Sequence, residues 1–144
     1  MTTIETTEVQ ALRSSYEALN EGDIDACISV LAPNAIWRES PELPGTNEVR
    51  GREAIRKFLV EFLGSWTEFR QEIEDVRVAG DRAALLIHLT AVGRASGAEV
   101  NTRYAHLWTV RDGAGVFVDA YRDQADALRA LGTREGAERE AQSP

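Results

Sequence analysis

The stretch 104-YAHLWTVRDGAGVFVDAY-121 decides the fold of this chain: two runs of alternating residues meet at Asp112-Gly113, a strong short-range signal for a two-residue hairpin turn. With the turn there, His106 faces Asp119, Trp108 faces Phe117 and Tyr104 faces Tyr121, because directly opposed residues share one face of a sheet. That face is aromatic and ionisable. The other, with Ala105, Leu107, Thr109, Val116, Val118 and Ala120, is small and mostly apolar. Which of the two looks inward decides the chemistry open to the protein.

Outward from the hairpin, strands are expected at 67–79, 82–94, 98–111 and 115–122, divided by turns at Gly80-Asp81 and Ser96-Gly97. They form four consecutive antiparallel strands. Before them, Val9, Leu12, Tyr16 and Leu19 recur at helical spacing, so residues 5–20 read as an amphipathic helix that Gly22 closes. Asp23 is placed to cap a short second helix, IDACISVLA, which Pro33 should stop. AIWRE (35–39) alternates as a strand, SPELPGTNEVRG reads as a rim loop, and Ile55, Phe58, Leu59, Phe62 and Leu63 give a third helix from Arg52 to Leu63. A last helical turn or two is expected at 123–131, and 132–144 has almost nothing to bury and is expected to be disordered. Helices at the front and a meander at the back imply one α+β domain over residues 5–131, its curved antiparallel sheet folded over the N-terminal helices.

The length of 144 residues is enough for one core, and 43% hydrophobic with 28% charged residues is an ordinary globular composition. A net charge of −8 with scattered arginines argues against nucleic acid as a partner. No run is long and apolar enough for a membrane span, and no secretion signal is evident, so a cytoplasmic location is the default expectation. The lone Cys27 sits on a helix face and reads as a buried, inert thiol. The two histidines lie far apart and no Cys or His cluster has ligand spacing, so neither a metal nor a cofactor is expected.

YEALNEGDIDACISVLAPNAIW, VRGREAIRKFLVEFL and AHLWTVRDGAGVFVDAYRDQADALRALG, in this order and spacing, resemble the nuclear transport factor 2-like superfamily and, within it, the SnoaL-like branch of polyketide cyclase and ketosteroid isomerase relatives. The resemblance covers residues 8–131. It implies a cone: a bent mixed sheet around a hydrophobic cavity capped by the helices, paired as a homodimer through the sheet's outer face. It also implies roles. The helix-one tyrosine of ketosteroid isomerase falls on Tyr16 and its catalytic base on Glu39, whereas its protonated aspartate falls on Ala105. The Asp-Arg-Asp set of the superfamily's epoxide hydrolases falls on Ala105, Arg103 and Ala120, so that chemistry is not expected. The same comparison implies a pocket face of Arg103, Ala105, Leu107, Val118, Ala120 and Arg122, turning His106 and Asp119 outward into the dimer seam.

Several residues carry a functional and a plain reading side by side. Glu39 is a general base or acid at the cavity mouth, or a solvated carboxylate beside a loop. Tyr16 is a hydrogen-bond donor to substrate, or a structural phenol bonded to backbone. His88, in ALLIHLTAV, falls opposite Ala105 on the cavity face if Ser96-Gly97 makes a two-residue turn; it then replaces the missing carboxylate, or is a satisfied core histidine. Arg103 and Arg122 orient an anionic ligand group, or are solvated. His106 with Asp119 is a pocket dyad, or an ion pair in the dimer face. Trp37, Phe58, Phe62, Trp66 and Leu107 are candidates for an apolar lining or for plain core. Together these point to a cofactor-independent isomerase, cyclase or dehydratase acting by acid/base catalysis on a hydrophobic, oxygenated ring substrate, with Glu39, Tyr16, His88 and Arg103 as its working residues. The alternative is a noncatalytic module that binds a hydrophobic ligand or dimerises.

Overall fold

The computed structural model describes residues 3–41 and 47–132. Helix α1 (Thr6–Asn20) buries Leu12, Ser15, Tyr16 and Leu19, the stripe set by helical spacing. Its first turn is closed by Glu8, whose carboxylate accepts from the backbone N–H of Glu5 at 3.0 Å. The chain reverses at Gly22, which adopts φ +80°, a conformation glycine reaches without strain. Asp23 then caps α2 (Ile24–Ile28) by accepting from the N–H of Ala26 at 3.1 Å.

Strand β1 (Leu31–Glu39) begins earlier than the sequence pattern implies, and the second helix is correspondingly shorter. Pro33 therefore lies inside a strand. It is tolerated there because β1 and its parallel neighbour lose register between Leu31 and Ile36, so the missing N–H falls where the ladder is already broken. The segment read as a rim loop holds a short strand, β2 (Asn47–Arg50), paired antiparallel to β1; residues 42–46 of that segment lie outside the described residues. Helix α3 (Arg52–Gly64), β3 (Trp66–Ala79), β4 (Arg82–Gly93), β5 (Glu99–Arg111), β6 (Ala114–Tyr121) and α4 (Gln124–Gly132) follow. The expected disordered tail falls beyond the described residues from 133 onward.

The six strands form one curved sheet in the order β2-β1-β6-β5-β4-β3, antiparallel throughout except for the β1–β6 pair. The architecture is α+β, a mixed sheet wrapped around the N-terminal helices. Tyr16 of α1 reaches β5, Asn20 at the end of the same helix exchanges two hydrogen bonds with the backbone of Gln71 on β3, and α3 packs on β1, β2 and β3. Helix α4 packs across β3 to β6, with Ala127 fully buried.

The hairpin turn is where the sequence places it: Asp112 and Gly113 have φ of 53° and 77°, the signature of a type I′ turn. The pairing beside it also follows, with Arg111 opposite Ala114 and Val110 opposite Gly115. One step further a bulge intervenes, since Thr109 faces Phe117 and Val116 has no opposite number. From there every pair is displaced by one residue: Trp108 faces Val118, Leu107 faces Asp119 and His106 faces Ala120. The pairings of His106 with Asp119, Trp108 with Phe117 and Tyr104 with Tyr121 are thereby corrected. A one-residue displacement exchanges the faces of one strand relative to the other.

Candidate functional site

Because opposed residues share a face, the register assembles the concave side strand by strand. It takes Trp37 and Glu39 from β1, Val118 and Ala120 from β6, Tyr104, His106 and Trp108 from β5, Leu89 from β4 and Gln71 from β3. Between this surface and helices α1 and α3 lies a cavity of about 360 Å³, within the range of small-molecule sites. Ile55, Phe58, Leu59 and Phe62 of α3 and Tyr16 and Leu19 of α1 close it from the helical side. Phe58 stands between Trp37 and Phe62, with ring centroids 6.3 Å from each, so one wall is aromatic.

The deepest polar groups are chained. The indole Nε1–H of Trp108 donates to the Tyr16 hydroxyl at 2.9 Å, and that hydroxyl lies 2.6 Å from Nδ1 of His106. An indole N–H can only donate, so the Tyr16 oxygen accepts there, and its own hydrogen has no other acceptor among the described residues than Nδ1. His106 is 5% exposed, and burial lowers its pKa to about 3, so the imidazole is neutral at physiological pH. A neutral imidazole that accepts at Nδ1 carries its hydrogen on Nε2. This Nε2 has no hydrogen-bond partner among the described residues, and the residue lines the cavity. His106 is therefore a neutral donor aimed at whatever fills that space. Burial also pushes the Tyr16 phenol well above its ordinary value, with the Trp108 hydrogen bond opposing, so Tyr16 holds its proton.

Glu39 occupies the other side of Ala120, which faces Glu39 on β1 and His106 on β5. Two strand spacings separate the carboxylate's backbone from that of the imidazole, about 10 Å at 4.7–4.9 Å per strand. The Trp37 indole donates to Oε1 of Glu39 at 2.7 Å, and its ring lies edge-on to His106 with centroids 4.8 Å apart. Oε2 has no donor among the described residues. Next to His106 on the same face, Tyr104 accepts a hydrogen bond from the Gln71 amide. Its phenol is pushed up to about 12 by burial, with Gln71 opposing and the charge of Glu39 adding to the rise.

The remaining candidates are distributed differently from expectation. His88 faces Arg103 rather than Ala105, because the β4–β5 connection is longer than two residues. Parity is unchanged by that shift, but the face is the outer one. His88 bonds to Asn101 at 2.6 Å, and the Arg103 guanidinium, although the residue borders the cavity, turns to Glu74 of β3 at 2.8 Å. Asp119 also lies outside, held by Arg38 through Nε–Oδ1 at 2.5 Å and Nη2–Oδ2 at 3.0 Å, so no His106–Asp119 dyad exists. Ala105 and Leu107 share that outer face, which corrects the β5 half of the implied pocket surface. Ala120 and Arg122 do line the cavity, while Val118, on the same side, is fully buried in the core against it. Trp37, Phe58 and Phe62 line the cavity; Trp66 stands behind Phe62, edge to ring. Cys27 is half-buried and borders the cavity, its thiol pushed up by burial and within 3.6 Å of the Ser15 hydroxyl. Gln71 gave no signal in the sequence beyond its place in a strand. Among the described residues no group of His, Cys, Asp and Glu could hold a metal ion.

A bent mixed sheet that holds a cavity against three helices defines a class of fold, and comparison with known proteins identifies it. The model of the SnoaL-like domain matches residues 12–118, and the chain belongs to that family. Its structure is similar to that of a nuclear transport factor 2-like protein of unknown function from Burkholderia pseudomallei, with a TM-score of 0.73 at 20% identity, covering 90% of this chain and 100% of that one. A protein from Jannaschia described as a SnoaL-like polyketide cyclase gives 0.73 at 19% identity, covering 90% and 94%. TerC, crystallised with polyporic acid, gives 0.71 at 20% identity, covering 88% and 98%. At such identities the likeness is one of fold. No curated protein matches the chain. No helix among the described residues is long and apolar enough to cross a membrane.

Proposed function

We propose that this protein is a cofactor-independent acid/base catalyst acting on a hydrophobic, oxygenated ring compound held in the cavity, with Glu39 as the base and His106 as the donor to the developing oxyanion. The observation that carries this reading is the convergence on one apolar cavity of an acceptor-only carboxylate and a neutral imidazole N–H on either side of Ala120. With a ketone carbonyl against Nε2–H, Oε2 of Glu39 takes the proton from the carbon beside the carbonyl. The C–H electrons become the C=C of the enolate, and the oxygen's charge is met by the imidazole hydrogen bond. Return of the proton from Glu39 to another carbon gives isomerisation; its transfer to a β-hydroxyl, which leaves as water as the enolate re-forms the carbonyl, gives dehydration; attack of the enolate carbon on a second carbonyl of the same molecule, with the new alkoxide taking the proton from Glu39, gives cyclisation. Tyr16 acts as a positioning residue, since it fixes the His106 tautomer. Arg122, exposed and without an ion-pair partner among the described residues, suits an anionic substituent at the rim. His88 and Arg103 have no part in this scheme.

The relative crystallised with polyporic acid and the one described as a polyketide cyclase support a flat oxygenated substrate of this kind. Pairing of two copies through the sheet's outer face belongs to the same family reading, and sedimentation equilibrium gives the mass that decides it. The chemistry is tested with 1-tetralone in D2O, following deuterium entry at the carbon beside the carbonyl by NMR. Wild-type protein should accelerate exchange, and Glu39→Gln should reduce it by about 100-fold or more, the usual worth of a general base. Equal exchange by both proteins removes Glu39 from its role. Binding of the ketone with equal affinity to both, without exchange, would leave a ligand-binding module.

A further inference from the structure

We infer that Gln71 and Tyr104 form a second oxygen-recognising subsite, which makes the ligand a flat hydrophobic compound bearing two oxygen functions, one met by His106 and the other by this pair. The inference deepens the reading of the cavity as a ligand site and rests on it. Gln71 is 4% exposed, lines the cavity, and has its backbone clamped on both sides by Asn20, whose amide donates to the carbonyl at 2.9 Å and accepts from the N–H at 2.8 Å. So exacting a placement would be unneeded for a strand residue with a solvated side chain.

The hydrogen count at this pair does not close. With Nε2 of Gln71 donating to the Tyr104 oxygen, Oε1 of Gln71 is buried with no donor, and the phenol's own hydrogen has no acceptor among the described residues. Turning the amide over pairs Oε1 with the phenol and leaves the Nε2 hydrogens without an acceptor instead. In the first arrangement the phenol hydrogen and one Nε2 hydrogen are left over and in the second both Nε2 hydrogens, and buried polar groups are rarely left so without a water or ligand to answer them. A ligand oxygen answers the first arrangement at the phenol, by accepting the hydrogen that Tyr104 has free to give.

The spacing supports two separate contacts on one molecule. The Tyr104 and His106 rings are 5.2 Å apart, and Gln71 approaches Tyr104 from β3, while Glu39 and Trp37 approach His106 from β1. The two oxygens are therefore held from opposite edges of the cavity, with the aromatic wall of α3 against the skeleton between them. Glu39 lies close enough to raise the Tyr104 phenol, so the second oxygen is favoured as a neutral hydroxyl or carbonyl over a phenolate.

The test compares 1-tetralone with 6-hydroxy-1-tetralone, read by quenching of Trp37 and Trp108 fluorescence, in wild-type protein and in Tyr104→Phe, Gln71→Met and Glu39→Gln. Wild-type protein should bind the hydroxylated ketone about tenfold more tightly, the factor expected for one added hydrogen bond. Tyr104→Phe and Gln71→Met should each bring that ratio to within about twofold of unity while leaving the affinity for 1-tetralone itself unchanged, and Glu39→Gln should keep the ratio. A ratio near one in the wild type, a ratio that survives both substitutions, or loss of 1-tetralone binding along with the ratio overturns the subsite. Failure of either ketone to bind wild-type protein overturns the subsite and the ligand-site reading together. A tenfold ratio without deuterium exchange overturns only the catalytic reading.

Discussion

The two faces of the β5–β6 hairpin solve the burial of polar groups in different ways. On the inner face the groups are neutral and chained, indole to phenol to imidazole, and burial drives each ionisable member toward its uncharged form. On the outer face they are charged and paired: Asp119 is 4% exposed at its side chain, Arg38 is 20% exposed, and the guanidinium also lies 4.7 Å above the Phe117 ring. The deep end of the cavity around Tyr16 and His106 strongly penalises charge, so polar atoms survive there as neutral donors and acceptors, whereas the half-buried Glu39 carboxylate stands two strands away. A face that keeps some contact with water can hold an ion pair. The chemistry proposed for the cavity depends on that contrast, because a protonated His106 would donate from both nitrogens and compete with Tyr16 for its place.

The contrast is broken most severely from outside. Asp119→Ala leaves the Arg38 guanidinium half-buried without its bidentate partner and should destabilise the fold by about 3 kcal/mol, the lower end for a broken buried pair because Arg38 retains some solvent. Urea unfolding measures this. If the faces are as separate as the register implies, 1-tetralone affinity in the folded variant stays at the wild-type value. A large loss of affinity would mean that Asp119 reaches the cavity after all.

A smaller effect is expected at the residue that divides the faces. Gly115 precedes the bulged Val116, and a Cβ at that position would collide with the Trp108 ring. Gly115→Ala should cost about 1–3 kcal/mol through overpacking. It should also displace the indole that donates to Tyr16, so the variant should lose affinity for 1-tetralone, the reverse of the pattern at Asp119. A Gly115→Ala protein with wild-type stability would show that Trp108 has room to move.

Gly115 is also the sign of what the sequence conceals. The helical stripe with Tyr16, the Asp112-Gly113 turn, the strand meander and the grouping of Tyr104, His106 and Trp108 on one face are all written in spacing and turn chemistry, and the structure has them. The extra residue at Val116 is not, because a valine in a bulge looks like a valine in a strand; a glycine inside an alternating run was the available hint. Missing it inverts β5 relative to β6. Ala120 therefore lines the cavity while Ala105 lies on the outer face, and His106 and Asp119, which the unbulged register pairs, lie on opposite sides. Gln71 was illegible for another reason: its importance comes from Asn20, fifty-one positions away, and from a hydrogen bond across β4, neither of which leaves a periodic trace.

The gentlest probe of the inner face is pH. His106 binds a proton near pH 6.5 in the unfolded chain but only near pH 3 in the folded one, because burial disfavours the imidazolium. Between those values the unfolded state holds more protons than the native state, so stability rises with pH across the window. The contribution is complete above about pH 6.5 and is lost progressively as pH falls toward 3, with a slope of at most about 1.4 kcal/mol per pH unit. Carboxylates add their own slopes lower down, so the range from pH 6.5 to 5 isolates the histidine best. His106→Gln keeps an acceptor for the Tyr16 hydroxyl while removing the titration, and its stability should be nearly flat over that range where the wild type falls. Equal slopes in the two proteins would mean that the imidazole titrates freely, and a freely titrating His106 is incompatible with a neutral donor locked behind Tyr16.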